Sequence, residues 1–262
     1  MLLDIDIGNT NIVIGLHQGQ ELRAHWRLSS TITRTDDECW ILLKLLCESE
    51  KLSVEEITGA IISSVVPNLT PVFVKMAQRH LQLSPIVVDA EIDTGIKILY
   101  DTPKTVGADR ICNAVAGFHK YGGPLIVVDF GTATTFDVVT QQGEYLGGII
   151  APGIETSAYV LHRYAAKLPK VELKFPDSLI GRSTESSIQS GLMYGAVEMV
   201  DGLIERLVAE MGPKTKVIAT GGLASLILPE SKRITIVEPF LTLEGLKYIY
   251  ERVTSQQLKS GC

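Results

Sequence analysis

The sequence has no excess of basic residues and no cluster of them. Its 262 residues include 24 Lys and Arg against 30 Asp and Glu, which gives a formal net charge of −6. A protein that binds a nucleic-acid backbone or an anionic membrane needs a cationic face, so we predict that this one binds neither. The apolar content of 45% is sufficient for a large core and excludes a disordered chain.

Signals for export and for membrane insertion are also missing. Residues 1–6 contain carboxylates where a signal peptide has its apolar segment, and no apolar run approaches the ~20 residues that span a bilayer. The four cysteines form no C-x-x-C motif, and the five histidines lack the short spacings of a zinc site. We therefore predict a cytoplasmic protein with reduced cysteines, built from one or two domains.

One segment of the chain is repeated. Residues 3–15 contain an apolar run that ends in Asp-Ile-Gly at residues 6–8, then a small polar cluster and a second apolar run. Residues 126–138 repeat this pattern around Asp-Phe-Gly at residues 129–131. A glycine-containing turn and a third β-like run follow each copy, so each half predicts a meander of three strands.

Helices and strands alternate after each meander. Thr35 and Glu38 have the spacing of a capping box, which predicts a helix with apolar residues at helical period. The remaining patterns predict strands at 59–64, 86–88, 216–219 and 234–237, and helices at 67–81, 106–121, 184–211, just after 222, and 243–254. This alternation indicates a layered α/β fold. We place the domain boundary in the joining helix, which gives domains 1–115 and 116–262.

The two Asp-x-Gly turns have the chemistry of a phosphate site. Each one combines backbone N–H groups with hydroxyl or amide donors, and its glycine allows an anion to approach closely. The carboxylate would repel a phosphate directly, so we expect it to hold a cation instead. A single such turn is also typical of an ordinary hairpin. Two copies, with the carboxylate, the glycine and the polar cluster at matching positions, favour a binding site for a polyphosphate. P-loop and Rossmann glycine patterns are absent.

Asp109 is the candidate general base. It lies near the predicted start of the helix that joins the halves, after a glycine at position 107, where a carboxylate is able to face a cleft. The same position also allows it merely to satisfy the free N–H groups of the helix N-terminus. Arg110 beside it is a planar donor suited to a carboxylate, or to a salt bridge. Spacing alone leaves both readings open.

Six motifs extend this pattern to about residue 250. They are Asp6-Ile7-Gly8-Asn9-Thr10-Asn11, Gly107-Ala108-Asp109-Arg110, the segment 129–137, the segment 147–153, Ser190-Gly191 and Thr220-Gly221-Gly222. Together they resemble the type III pantothenate kinase family of the actin, Hsp70 and sugar kinase superfamily. The Asp-x-Gly turns are shared by the superfamily, whereas Gly-Ala-Asp-Arg is specific. The resemblance implies two tandem ribonuclease H-like domains with mixed sheets flanked by helices and a cleft between them.

The resemblance also implies a function and a set of site residues. The implied enzyme transfers the γ-phosphate of ATP to pantothenate, giving 4′-phosphopantothenate in the first step of coenzyme A biosynthesis, with Asp109 as catalytic base. ATP would be bound by Asp6, Ile7, Gly8, Asn9, Thr10, Asn11, Ile12, Val13 and Thr132, and pantothenate by Tyr100, Gly107, Ala108, Asp109, Arg110 and Thr184. Asp129 would hold potassium or ammonium, and magnesium would accompany ATP near Asp6. Thr184 would act on the substrate of the neighbouring subunit, which implies a homodimer.

Other readings remain open at this stage. One is a regulatory or accessory protein of the same fold, although the presence of Asp109 and Asp129 argues against it. Another is a superfamily ATPase or a kinase for a different alcohol, since a fold does not determine a substrate. The segment 220–222 has two readings: its backbone is approached by the adenosine of ATP, or it is an ordinary loop. Glycines along the helix 184–211 predict a close helix contact, either within the fold or across a dimer.

Overall fold

The computed structural model describes residues 1–260, which separate into two compact units. The first contains Met1–Ala116 and the C-terminal segment from Leu241, and the second contains Gly117–Phe240. The sequence predicted a single break between residues 115 and 116; the structure has a break one residue later but returns the C-terminal helix to the first unit. Within the described residues, no helix is long and apolar enough to cross a membrane.

The first unit is built on a five-stranded mixed sheet. Its strands are β1 (Leu2–Ile7), β2 (Asn11–Gln18), β3 (Glu21–Ser29), β4 (Gly59–Ser64) and β5 (Ile86–Val87), in the order β3-β2-β1-β4-β5. β1, β2 and β3 are antiparallel neighbours, and β4 and β5 continue the sheet in parallel with β1. The other elements are α1 (Asp36–Ser49), α2 (Thr70–Met76), the short strand β6 (Lys97–Ile98), and the first turns of α3 (Ala108–Tyr121).

The second unit repeats this topology. Its strands are β7 (Leu125–Phe130), β8 (Ala133–Val139), β9 (Glu144–Pro152), β10 (Lys216–Thr220) and β11 (Ile236–Val237), in the order β9-β8-β7-β10-β11. The directions also match, with an antiparallel meander followed by two parallel strands. Its helices are α4 (Ile154–Tyr164), α5 (Thr184–Met211) and α6 (Ala224–Ile227), and the chain ends in α7 (Leu241–Ser260). The repeat in the sequence is therefore a repeat of architecture.

The first strand of each unit has one apolar face and one face with a carboxylate at its end. On β1, Leu3, Ile5 and Ile7 enter a core that α1 and α2 cover. Side chains alternate along a strand, so Asp6 lies on the opposite face. In the second unit the core contains alternate residues of β7 with α5, and Asp129 lies on the other face for the same reason.

Local signals set the helix starts. Thr35 forms the predicted capping box, since its hydroxyl accepts from the Glu38 N–H at 3.2 Å and its N–H donates to Glu38 Oε2 at 2.7 Å. α2 begins at Thr70 rather than at the predicted Pro67, because Ser64 Oγ accepts from the Val66 N–H at 3.1 Å and from Thr70 Oγ1 at 2.7 Å and stabilises a turn. α4 was not predicted.

α7 belongs to the first unit because it packs on β1, β2 and β4. Gly59 has no side chain where Tyr250 lies: a Cβ there would be 2.1 Å from the Tyr250 hydroxyl. Arg252 binds both carboxylate oxygens of Asp93, at 2.9 and 2.8 Å, and this bond lowers the pKa of Asp93 to about 2. These contacts join residues more than 150 positions apart in the chain.

Candidate functional site

The first Asp-x-Gly turn connects β1 to β2 in the first unit. The Gly8 N–H donates to the Asn11 carbonyl at 2.9 Å, and a Cβ at Gly8 would lie only 3.0 Å from that oxygen. Asn9 and Thr10, at the tip, are exposed. The tip of the turn thus presents two polar side chains to solvent.

Asp6 is oriented by a residue that sequence reasoning did not identify. β4 runs parallel to β1 and places Ser63 opposite Asp6. The fully buried Ser63 donates its hydroxyl to Asp6 Oδ1 at 2.8 Å. This hydrogen bond limits the rotation of the carboxylate at the end of the strand. No local pattern marks Ser63, because only the pairing of β1 with β4 brings it to Asp6.

Asp109 lies in the first turn of α3, where Gly107 makes room for it. A Cβ at Gly107 would be 2.5 Å from Asp109 Oδ1, so a larger residue would displace the carboxylate. The Arg110 N–H donates to the same oxygen at 2.8 Å. Burial raises the pKa of Asp109 above its usual range, while the bond from the Arg110 N–H and the Arg110 charge partly oppose that rise. A carboxylate with a raised pKa is a stronger base.

Cys112 shows that Asp6 and Asp109 occupy one neighbourhood of the first unit. This thiol is fully buried one turn after Asp109. Burial raises the pKa of Cys112 well above its usual value, and the charges of Asp6 and Asp109 raise it further. Contacts point the same way: Val65 donates its N–H to the Ile7 carbonyl at 3.0 Å, and its Cγ1 lies 3.3 Å from the position of a Cβ at Gly107. The motif at 6–11 and the motif at 107–110, far apart in sequence, thus lie near each other in the first unit.

The second Asp-x-Gly turn connects β7 to β8. The Gly131 N–H donates to the Ala133 carbonyl at 3.1 Å, which parallels the bond that closes the first turn. Thr156, in the first turn of α4, donates its hydroxyl to the Thr132 carbonyl at 2.7 Å. Gly153 lies directly against the same peptide, since a Cβ there would be 2.3 Å from the Thr132 oxygen. The turn is therefore supported by the junction of β9 and α4.

The segment 220–222 lies beside Asp129. β10 pairs with β7 so that Thr220 is opposite Asp129. Gly221 has a φ of +92°, and a Cβ there would be 2.5 Å from Asp129 Oδ1 and 2.6 Å from the Phe130 N–H nitrogen. Glycine is needed here both for its left-handed backbone and for its size. The segment is thus a tight backbone turn packed on the second phosphate turn.

The other predicted substrate residues lie in separate places. Tyr100 is half-buried in the loop after β6 in the first unit, and Arg110 is 8% exposed. Thr184 is exposed at the start of α5 in the second unit, where Ser183 caps the helix. It lines an open groove of about 860 Å³ with an apolar floor between α4 and α5.

The donor set near Asp6 suits magnesium. Magnesium takes oxygen ligands, retains several waters, and is commonly held by one or two carboxylates together with substrate phosphates. Asp6 supplies a carboxylate at the end of β1, where the Ser63 hydroxyl donates to its Oδ1 at 2.8 Å. Residues 1–260 contain one cluster of three potential metal-ligating side chains elsewhere, Asp36, Asp37 and His80, but Asp36 already pairs with two cationic side chains.

A family model described as type III pantothenate kinase matches residues 2–206. A type III pantothenate kinase from Moorella thermoacetica is 52% identical over 254 residues, which cover 97% of this chain and 100% of the relative. The family-model match includes both Asp-x-Gly turns and the 107–110 motif.

Solved structures match the fold at low identity. A Campylobacter jejuni protein described as a Baf family transcriptional activator has a TM-score of 0.58 and 20% identity, covering 97% of this chain and 99% of that one. A ROK family glucokinase from Streptomyces griseus has a TM-score of 0.50 and 14% identity, with coverage of 97% and 99%. These neighbours confirm the predicted fold class, with two mixed sheets flanked by helices as in sugar kinases. By its family model and its relatives, the chain belongs to the type III pantothenate kinase family.

Proposed function

We infer that the protein transfers the γ-phosphate of ATP to the primary hydroxyl of pantothenate, giving 4′-phosphopantothenate at the first step of coenzyme A biosynthesis. Membership of the type III pantothenate kinase family supports this activity. The structural observation that carries it is the setting of Asp109, whose carboxylate has a raised pKa, a space left by Gly107, and Asp6 in the same neighbourhood. An alcohol acceptor needs such a base beside the phosphate site.

We propose that the two turns bind the phosphates of ATP. Asp6–Val13 would contribute the first turn and its strand, and Thr132 the second. Their support is the exposed Asn9 and Thr10 at the first tip and the exposed Thr132 at the second. The glycine segment 220–222, packed on Asp129, would form backbone contacts with adenosine.

Two cations would offset the negative charge of the site. Magnesium, when bound near Asp6, would neutralise charge on the transferred phosphoryl group. We propose that Asp129 holds potassium or ammonium. Asp129 is half-buried at the end of β7, and the Gly221 backbone packs closely against its Oδ1. A chain of net charge −6 that binds two anionic substrates needs such local positive charge.

Pantothenate would be held by Tyr100, by Gly107, Ala108, Asp109 and Arg110, and by Thr184 of a second subunit. We therefore propose a homodimer. Its support is a face of α5 on which a Cβ added at Gly191, Gly195 or Gly202 would meet nothing within 4 Å, so that these glycines are not packed within the chain. Tyr164 and Ile180 in the same unit are 82% and 77% exposed, more than is usual for such apolar side chains.

The three described cysteines are buried free thiols, which fits a cytoplasmic location.

A regulatory role has no specific support. The Campylobacter jejuni neighbour shares 20% identity, which bears on the fold alone.

A kinase for another alcohol is distinguished from a pantothenate kinase by experiment. Purified protein with ATP, magnesium, KCl and pantothenate should give phosphopantothenate by mass spectrometry, and replacing potassium with sodium should lower the rate. Phosphorylation of another alcohol but not of pantothenate would overturn the proposed substrate.

A further inference from the structure

The carbonyl groups of the first phosphate turn are held by one residue outside it. Ser30 follows β3 and is half-buried. Its backbone N–H donates to the Thr10 carbonyl at 2.9 Å, and its hydroxyl donates to the Gly8 carbonyl. Two carbonyl oxygens of the turn are thus directed at Ser30.

The direction of a carbonyl determines the direction of the next N–H. A trans peptide is planar, with its oxygen and its hydrogen on opposite sides. The Gly8 carbonyl shares a peptide with the Asn9 N–H, so a Gly8 oxygen held by Ser30 makes the Asn9 N–H point away from Ser30. The reverse orientation would direct a partly negative oxygen to that side, where it would repel a phosphate.

A hydroxyl also holds a carbonyl of the second phosphate turn, one position later in the repeat than in the first turn. Thr156 Oγ1 donates to the Thr132 carbonyl at 2.7 Å, and Gly153 packs against that oxygen. The Thr132 carbonyl shares a peptide with the Ala133 N–H, which therefore points away from Thr156. Ser30 and Thr156 come from different element types, a strand end and a helix start, yet each one donates a hydroxyl to a carbonyl of a phosphate turn.

We propose that Ser30 and Thr156 are positioning residues for nucleotide binding. Each hydroxyl fixes one peptide of its phosphate turn, so that the N–H of Asn9 or Ala133 is oriented for an ATP phosphate before the nucleotide arrives. The proposal rests on the proposed function, because it takes the two turns as the ATP phosphate sites. Neither residue contacts the reacting groups in this role, so removing either hydroxyl weakens phosphate binding and leaves the chemical step intact.

The test compares binding of magnesium-ATP and of adenosine, which lacks phosphates, by isothermal titration calorimetry. We expect Ser30→Ala and Thr156→Ala each to raise the ATP Kd about three- to tenfold, the usual effect of one hydrogen bond, while adenosine binding and the KM for pantothenate stay unchanged. Ser30→Thr and Thr156→Ser keep a hydroxyl and should restore ATP affinity. Ser29→Ala and Ser157→Ala are the matched controls, since they remove neighbouring hydroxyls.

The outcomes separate this proposal from the proposed function. Unchanged ATP affinity in both alanine variants would overturn the positioning role alone. Equal losses for ATP and adenosine, with no rescue by the conservative variants, would also overturn it, because they indicate general damage to the fold. Wild-type protein that binds no ATP would overturn the proposed function and the positioning role together.

Discussion

At the scale of single residues, the setting of Asp109 combines two opposing demands. A base must be exposed enough to reach its substrate and buried enough to hold a proton well. The missing side chain of Gly107 provides the space, and burial raises the pKa of the carboxylate. The Arg110 N–H and the Arg110 charge oppose part of this rise in pKa, because both favour the ionised carboxylate.

Replacing Asp109 by asparagine should abolish most turnover without unfolding the protein. Asparagine has nearly the same shape but cannot accept the hydroxyl proton, and loss of a general base costs about 10²- to 10⁴-fold in rate. We expect kcat to fall in this range in a coupled ADP assay, with the ATP Kd and the melting temperature close to wild type. Glu50→Gln, at an exposed helix end, is the control. Near-normal turnover in Asp109→Asn would remove Asp109 as the base.

The pH dependence of the rate should report the raised pKa of Asp109. Only the ionised carboxylate accepts a proton, so activity falls as the pH drops through its pKa. Because burial raises this pKa, the fall begins at a higher pH than the ordinary value of about 3.9 would give. A profile of kcat/KM against pH measures it. An acid limb centred at or below the ordinary value would contradict the burial argument.

The sequence alone was enough to propose some residues of the candidate site but not others. Asp6, Asp109 and Asp129 lie in motifs whose chemistry can be recognised locally. Ser63 and Ser30 cannot be found in this way, because their roles depend on the pairing of strands and on a chain that returns to a turn far along the sequence. A serine at a strand end has no pattern of its own.

At the scale of elements, periodicity predicted most helices and strands. β4 and α5 have the predicted bounds, and β1–β3 and β7–β9 form the predicted meanders. α4 was missed because Gly153 gives its start no side-chain cap, although Ile154, Ala158 and Leu161 recur at helical spacing. The start of α2 was misplaced because the hydroxyl of Ser64 stabilises a turn where proline favours a helix start.

The open glycine face of α5 gives a test of the proposed dimer. A leucine at Gly195 would extend into space in the single chain but would block close contact with a second helix. We expect wild-type protein to have twice the 28.5 kDa chain mass by light scattering, and Gly195→Leu to shift to a single chain while its helix content is kept. Lys44→Leu, on the exposed surface of α1, is the control. A dimeric Gly195→Leu would exclude this face.

At the scale of the whole molecule, the sequence showed that the chain contains a duplication but not which segments form each unit. The repeated turns predicted two similar halves, and β7–β11 of the second unit follow the same order as β1–β5 of the first. The place of α7 was not predictable, because it depends on long-range contacts such as Tyr250 with Gly59 and Arg252 with Asp93. The apolar residues of this helix recur at helical spacing, but that pattern carries no signal for the unit on which the helix packs.

Shortening a buried side chain of α7 should therefore weaken the first unit. Leu246 is fully buried, and its replacement by alanine should cost about 2–5 kcal/mol of unfolding free energy. In hydrogen exchange measured by mass spectrometry, we expect Leu246→Ala to lose protection in residues 1–116 more than in 117–240. Leu45→Ala, which shortens a leucine that is 56% exposed, should change little. Greater loss in 117–240 would contradict this placement of α7.

The most direct test of the central claim is the stoichiometry of the reaction, followed by ³¹P NMR with magnesium, KCl and limiting pantothenate. We expect one ADP for each phosphate ester, with the ester on the primary hydroxyl and ATP stable once pantothenate is used up. ADP and free inorganic phosphate that form without pantothenate, and without any ester, would show an ATPase and contradict the assignment of this protein as a pantothenate kinase.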